Sequence, residues 1–322
     1  MAATANRVLT THVGSLVRPP QLVAFLHKIE DREPYDRSAY EACLKESIET
    51  VVRQQAEAGI DIVSDGEFSK GRNWAFYFHD RLSGLATRPL TPDEAKDPMA
   101  AVGGGQDRVA FPEFYAEYDR VSGLSKRLGS RFVVNGALTY SDAQVKRDIA
   151  NLKAAAAKAK VADAFLPVVA PASALPNAKN EFYPDEKSLL LALADCLHQE
   201  YKAIVDAGLY VQIDDAFLPY MHEKMVPPMT HAQYRAWAQS RIDAQLRPAQ
   251  IVGIRHRRHH ALVHIGQESI VDLHIEPGSD NGLVFFVQRI GEREQIALLV
   301  LVVLDLGAGK RARRRHHRQK AG

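Results

Sequence analysis

The sequence predicts an α/β fold whose parallel strands close into a barrel, and three observations carry that expectation. Strand-like and helix-like segments alternate through the first 245 residues, two of the helical patterns stop at a glycine, and the strand-like runs end in polar residues. Alternation of this kind implies parallel pairing, with functional residues gathered at the strand C-terminal ends. An open, doubly wound sheet would instead need a Gly-x-Gly-x-x-Gly turn directly after a strand. The run Gly103-Gly104-Gly105 follows Pro89, Pro92 and Pro98 in polar sequence and reads as a loop.

Taken in order, residues 8–13 make the first candidate strand. Ser38 with Glu41 three residues on has the form of a capping box, and Cys43, Leu44, Ile48, Val51, Val52 and Gln55 follow at helical spacing until Gly59. Residues 60–64 are a short β-branched strand ending in Asp65-Gly66-Glu67. Residues 131–140 (RFVVNGALTY) and 164–170 (AFLPVVA) read as strands on either side of an Ala- and Lys-rich helix over 143–160. Pro184 opens another helix with Asp185 and Glu186 in its first turn, 189–205 supply its apolar face, and Gly208 stops it. Residues 209–213 are then a strand ending in Asp214-Asp215. A barrel would bring His12, Ser15, Asp65, Glu67, Asn135, Asp214 and Asp215 round one rim.

With 46% hydrophobic and 25% charged residues over 322 positions, the chain has the composition of a globular protein rather than a disordered or collagenous one. Cys43 and Cys196 alone cannot make a disulfide framework, and the first residues lack the pattern of a signal peptide, so a cytoplasmic setting is expected. The apolar run 296–304 is too short to cross a bilayer as a helix, which needs roughly 20 residues.

The charge is unevenly placed. Residues 1–245 hold 28 Lys plus Arg against 32 Asp plus Glu, while 246–322 hold 13 against 7, with Arg outnumbering Lys 11 to 2. This last stretch also has 7 of the 13 histidines but only two aromatics, Phe285 and Phe286. The chain therefore divides into a barrel portion over 1–245 and an atypical basic, Arg/His-rich tail over 246–322. The tail offers two strand patterns, 283–290 and 296–304, where a closed barrel needs about three more strand-helix units, so the barrel reads as incomplete or irregular after the fifth strand. A frame change in the gene is the leading account of the step. A nucleic-acid arm over 310–320 and a replacement metal site at His256, His259, His260 and His264, three of them at helical spacing, are the other two, and a solvated end is favoured over nucleic-acid binding.

Four motifs in chain order give a family resemblance. Thr10-Thr11-His12-Val13-Gly14-Ser15-Leu16 with Arg18-Pro19 resembles the first-strand signature of the cobalamin-independent methionine synthases, and Gly59-Ile60-Asp61-Ile62-Val63-Ser64-Asp65-Gly66-Glu67 resembles their second-strand motif. Tyr77-Phe78 with Leu82-Ser83-Gly84 resembles the following helix, and Val211-Gln212-Ile213-Asp214-Asp215 the fifth-strand motif, so that the resemblance spans roughly residues 7–240. It implies a TIM (β/α)8-type barrel, a homocysteine thiolate activated by zinc, and a methyl donor that is usually a folate. It also implies that His12, Val13, Gly14, Ser15, Glu67 and Asp214 hold the amino-acid substrate. The zinc ligands of the family, a His-x-Cys pair and a later acidic residue and cysteine, are not found in this chain, and Val168-Val169-Ala170-Pro171 stands where larger synthases offer an aromatic residue to folate. The alternative function is a non-catalytic or degenerate barrel with a basic tail.

Overall fold

Apolar residues at helical spacing fix the first helices, and a proline in one and a capping side chain in the other set where they begin. The computed structural model describes residues 9–71, 76–94, 110–122, 130–161, 163–175, 178–226, 228–251, 261–265 and 284–287. Helix α1 (Pro20–Glu30) starts on a proline, whose missing N–H would have no partner there, and buries Leu22 and Leu26. Helix α2 (Arg37–Glu57) is capped by Asp36, whose side chain accepts from the Ala39 N–H, and not by the expected Ser38 box. Asp36 caps as well as serine does, and its charge also suits the positive helix end.

Beyond α2, Gly59 takes a φ of +81°, and the Ile60 N–H returns to the Gln55 carbonyl at 3.0 Å. That bond belongs to the helix end, so strand β1 is Ile62–Ser64 and begins two residues later than its sequence pattern. The strand expected over 8–13 is reduced, within the described residues, to a single bridge residue at Leu9. Asp61 is the reason: its carboxylate takes the Thr10 N–H at 2.7 Å, in competition with a ladder partner. Thr10 still accepts from the Asp61 and Ile62 N–H groups, at 3.0 and 3.1 Å, which lays the segment beside β1.

A 3-10 helix, Phe76–Arg81, leads into strand β2 (Leu82–Pro89). Leu82, Ser83 and Gly84 are thus strand residues, not part of a helix. Strand β3 (Ser130–Tyr140) pairs antiparallel with β2, and a short strand β5 (Lys179–Asn180) pairs parallel with β3. Gly84 sits at a register shift with φ +81°, and a Cβ there would lie 2.4 Å from the Ala137 carbonyl oxygen, so only glycine allows this approach. Asn135 is exposed in the middle of β3, in this three-stranded sheet, so it does not join the other strand ends on a rim. Between β2 and β3 runs helix α3 (Pro112–Ser122).

The larger sheet is built from β1, β4 (Asp163–Val169), β6 (Tyr210–Asp215), β7 (Ala261–Ile265) and β8 (Val284–Val287), all parallel and in that order. Helices α4 (Ala143–Ala159) and α6 (Glu186–Asp206) connect these strands, with the short α5 (Pro171–Ala174) after β4. Asp185 caps α6 by accepting from the Ser188 N–H at 2.7 Å. Leu44, Ile48 and Val52 of α2, Leu152 of α4 and Leu193, Leu197 and Ile204 of α6 bury against Val63, Val168, Val169 and Ile213 of the strands. Each such side chain contributes about 1.5–3 kcal/mol by leaving water. Helices α7 (Phe217–Met225) and α8 (His231–Ile251) form a smaller cluster around Leu218, Met221, Tyr234 and Ile242.

Past residue 245, α8 continues to Ile251 and two strands extend the sheet. Strand β8 lies within the predicted 283–290 run, whereas β7 falls where helical histidine spacing was considered. His264 is a strand residue in register with Asp214, because its neighbours Leu262, Val263 and Ile265 favour extended backbone. His256, His259, His260, the 296–304 run, the 310–320 segment and Gly103-Gly104-Gly105 lie outside the described residues. Among the described residues no helix is long and apolar enough to cross a membrane.

Candidate functional site

The ends of β1 and β6 place charge where a parallel sheet leaves its backbone open. After Ser64, the chain turns through Asp65-Gly66-Glu67, with Gly66 at φ +67° and Glu67 at φ +61°. A left-handed glutamate costs roughly 1–2 kcal/mol, so the turn is held from outside. The Glu67 N–H donates to Asp65 Oδ1 at 2.9 Å, and the Glu67 carbonyl accepts from Arg18 at 2.6 Å. Leu16 N–H reaches the Gly66 carbonyl at 3.1 Å, which ties the 12–18 segment to this turn. Gln55 of α2 closes the other side, donating to the Ser64 carbonyl and accepting from the Ser64 N–H.

Four of the six expected site residues share one neighbourhood. Ser15 Oγ donates to Glu67 Oε2 at 2.5 Å, and His12 Nε2 lies 3.3 Å from Ser64 Oγ. Burial lowers the His12 pKa, against the opposing pull of the Glu67 charge, so the ring is biased to its neutral form. Asp214, partly buried at the end of β6, has its carboxyl pushed up to about 7: burial is the main cause, Lys70 opposes it, and the Glu67 charge adds to it. Glu67 and Asp214, from two strands, therefore feel one another. Of the other two residues, Val13 is exposed and Gly14 takes a φ of +90° with open space where a side chain would stand.

Two further carboxyls join them. Asp65 is pushed up to about 6 by burial, again with Lys70 opposing. Asp65 Oδ2 is buried and has no hydrogen-bond partner among the described residues. Asp215 is also held near 6 by burial, although Ser173 Oγ donates to it at 2.7 Å. Gln212 donates to Asp214 at 3.0 Å. Burial raises the carboxyls of Asp65, Asp214 and Asp215 together beside Glu67, and such a group of acids suits a ligand that brings a cation.

Lys70 is the residue that sequence reasoning missed. Its ammonium is buried, donates to the Pro167 carbonyl at 2.5 Å, and stands 4.5 Å from the centre of the Tyr77 ring. A lysine three residues after Glu67 reads as solvated, and only the tertiary fold shows otherwise. Tyr77 is itself fixed by Glu200, which accepts from its hydroxyl at 3.1 Å and from Arg81 at 3.0 Å, while Arg81 also holds Asp148 at 2.6 Å. Burial works against the Arg81 charge, but the two carboxylates outweigh it and hold the guanidinium above its usual value. The Tyr77 hydroxyl accepts from the Val169 N–H, and Val169 stands in register with Asp214.

The ligand set of the zinc site that the resemblance implies is not found among the described residues. No three His, Cys, Asp or Glu side chains among them come together in a way that could hold a metal ion. Both cysteines sit on helices against the core, Cys43 on α2 and Cys196 on α6, and burial pushes the Cys196 thiol up to about 11, away from the thiolate that metals bind.

Residues 8–91 match the family of the catalytic domain of cobalamin-independent synthase. That span holds His12, Val13, Gly14, Ser15 and Glu67, but not Asp214. The methionine synthase of Sulfolobus acidocaldarius is 25% identical over 270 residues, which cover 83% of this chain and 64% of that protein. A solved structure assigned as a vitamin-B12-independent methionine synthase from Listeria monocytogenes superposes with a TM-score of 0.54 at 17% identity, covering 81% of this chain and 66% of the other. A B12-independent methionine synthase from Shewanella sp. W3-18-1, solved in complex with selenomethionine, gives 0.51 at 17% identity, with 80% and 62% covered. At that identity the two structures show a shared α/β fold alone, and the chain spans about 64% of the length of the curated relative. Residues 8–91 thus resemble the catalytic domain of the cobalamin-independent synthases, and most of the chain is similar, at low identity, to proteins named methionine synthase.

Proposed function

We propose that this chain carries the amino-acid-binding face of a methionine-synthase-like methyltransferase, which passes a methyl group from a donor to homocysteine or a related small thiol in the cytoplasm. The carrying observation is the group of carboxyls at the ends of β1 and β6, led by the buried Glu67 and the partly buried Asp214. The substrate ammonium donates to these two, and a charge-assisted bond of this kind is roughly twice as strong as a neutral one. Two carboxylates from different strands fix its direction. Backbone groups of the Val13-Gly14-Ser15 turn receive the other end of the amino acid, with His12 and Ser15 holding Ser64 and Glu67 in place.

Strand order supports the barrel that this function implies. The larger sheet runs β1-β4-β6-β7-β8 with no reversal, an order compatible with a (β/α)8 barrel. The division into a barrel portion over 1–245 and a basic tail over 246–322 rests on composition, which changes sharply there.

A second reading, a barrel that binds the amino acid without transferring a methyl group, is favoured by the cysteines. Thiol activation by zinc needs thiolate ligands, and both cysteines of the chain are on core helices. Calorimetry of the full chain with methionine and with homocysteine tests the shared part, beside a methyl-transfer assay with a folate donor. Binding with turnover supports the first reading, binding without turnover the second, and no binding of either amino acid defeats both.

A further inference from the structure

We propose that His222 and His231 form a two-imidazole site for a divalent transition cation, separate from the amino-acid face. His222 lies on α7 and His231 opens α8, and across the turn between them His222 Nε2 stands 3.3 Å from His231 Nδ1. The rings are close to parallel, 18° apart, with centroids 5.4 Å from each other. As the pair stands, one imidazole donates its N–H to the lone pair of the other. The same separation suits a metal, because two nitrogens bound at about 2.0–2.1 Å in tetrahedral geometry lie about 3.3 Å apart. A small rotation of the exposed His231 ring aims both lone pairs at one ion, once the donating ring carries its proton on its other nitrogen.

The frame around the pair is rigid. Tyr234 meets the His222 ring edge to face at 4.9 Å, and its buried hydroxyl donates to the Leu218 carbonyl. Thr230 and Gln233 make a reciprocal cap at the start of α8, with Thr230 N–H on Gln233 Oε1 at 2.9 Å and Gln233 N–H on Thr230 Oγ1 at 3.3 Å. These contacts brace both helix ends around the pair, and bracing of this kind lowers the cost of chelation. A pair of nitrogens selects borderline ions such as Zn(II), Ni(II) or Cu(II) over Mg(II) and Ca(II), which take oxygen ligands. Among the described residues no third His, Cys, Asp or Glu completes a three-ligand group, so water fills the remaining positions and the ion exchanges readily.

Seven further histidines stand in 246–322, so the test is residue-specific. Full-length protein without an affinity tag is titrated with substoichiometric Cu(II) while the imidazole NMR signals are followed, and His222 and His231 broaden first. In zinc calorimetry His222→Ala and His231→Ala each weaken the corresponding binding step at least about tenfold, since losing a ligand costs no less than losing its outer partner. His231→Gln, which keeps a polar helix start, shows the same loss with unchanged circular dichroism. Broadening that begins at other histidines, or zinc affinity unchanged in all three variants, overturns the site.

Discussion

Asp65 and Asp215 are almost wholly buried carboxyls held near pKa 6, and Asp214 is held near 7, so each binds its proton more tightly in the fold than in the unfolded chain. Such a group contributes stability below its unfolded pKa of about 4, and the contribution is lost as pH rises through the folded value. Asp65→Asn should therefore be more stable than the parent protein at pH 8, by on the order of 2 kcal/mol, with the gap closing at pH 4; urea unfolding at the two pH values reads it. Ligand binding should move the other way. An ammonium needs the ionised forms, so methionine affinity should rise between pH 5 and about 8 and then level off. Glu67→Gln and Asp214→Asn should each weaken that binding by about 1.5–3 kcal/mol at pH 8. Affinity unchanged in both would remove these residues from the site.

Among the elements, the 3-10 helix over 76–81 joins the core to the candidate site. Arg81 neutralises Asp148 of α4 and Glu200 of α6, and Glu200 in turn fixes the Tyr77 hydroxyl beside Val169. Arg81→Leu leaves two buried carboxylates without their cation and should cost about 3–5 kcal/mol in urea unfolding, because breaking one side of a buried pair leaves the other side uncompensated. Gly84→Ala should cost more than about 1 kcal/mol by the same measurement, since its positive φ and the 2.4 Å approach of Ala137 both oppose a side chain. An Arg81 variant of parental stability would mean that the network is solvated rather than structural.

At the scale of the whole molecule, the proposed division near residue 245 predicts how the chain is cut. Trypsin should leave a resistant fragment ending near the close of α8, with first cuts among the arginines beyond it, because 11 of the chain's arginines lie in 246–322, where the composition departs from that of the preceding barrel portion. Mass spectrometry of a short digestion identifies the ends. A tail that resists as long as α2, α4 and α6 would show that β7 and β8 continue a single packed barrel, and the composition step would then have no structural counterpart.

Much of this protein is legible from sequence because its information is local. The 3.6-residue spacing of Leu44, Ile48 and Val52, the Pro184-Asp185-Glu186 start, which the structure moves to a cap at Asp185, and the glycines at 59 and 208 placed α2 and α6, and the motifs around Ser15, Glu67 and Asp214 marked the candidate site. What the sequence could not decide were choices between partners far apart in the chain. Whether 131–140 would join the rim or pair with 82–89 depended on which edge was free, and its residues suit either. Asp61 took the N–H of Thr10 from a strand ladder, 51 residues away. Lys70 became a buried cation only when Pro167 and Tyr77 closed over it. Periodicity and capping act within one or two turns of backbone, whereas burial of a charge is set by the sum of everything that packs around it, and so the elements belong to the sequence and the electrostatics of the site to the tertiary structure.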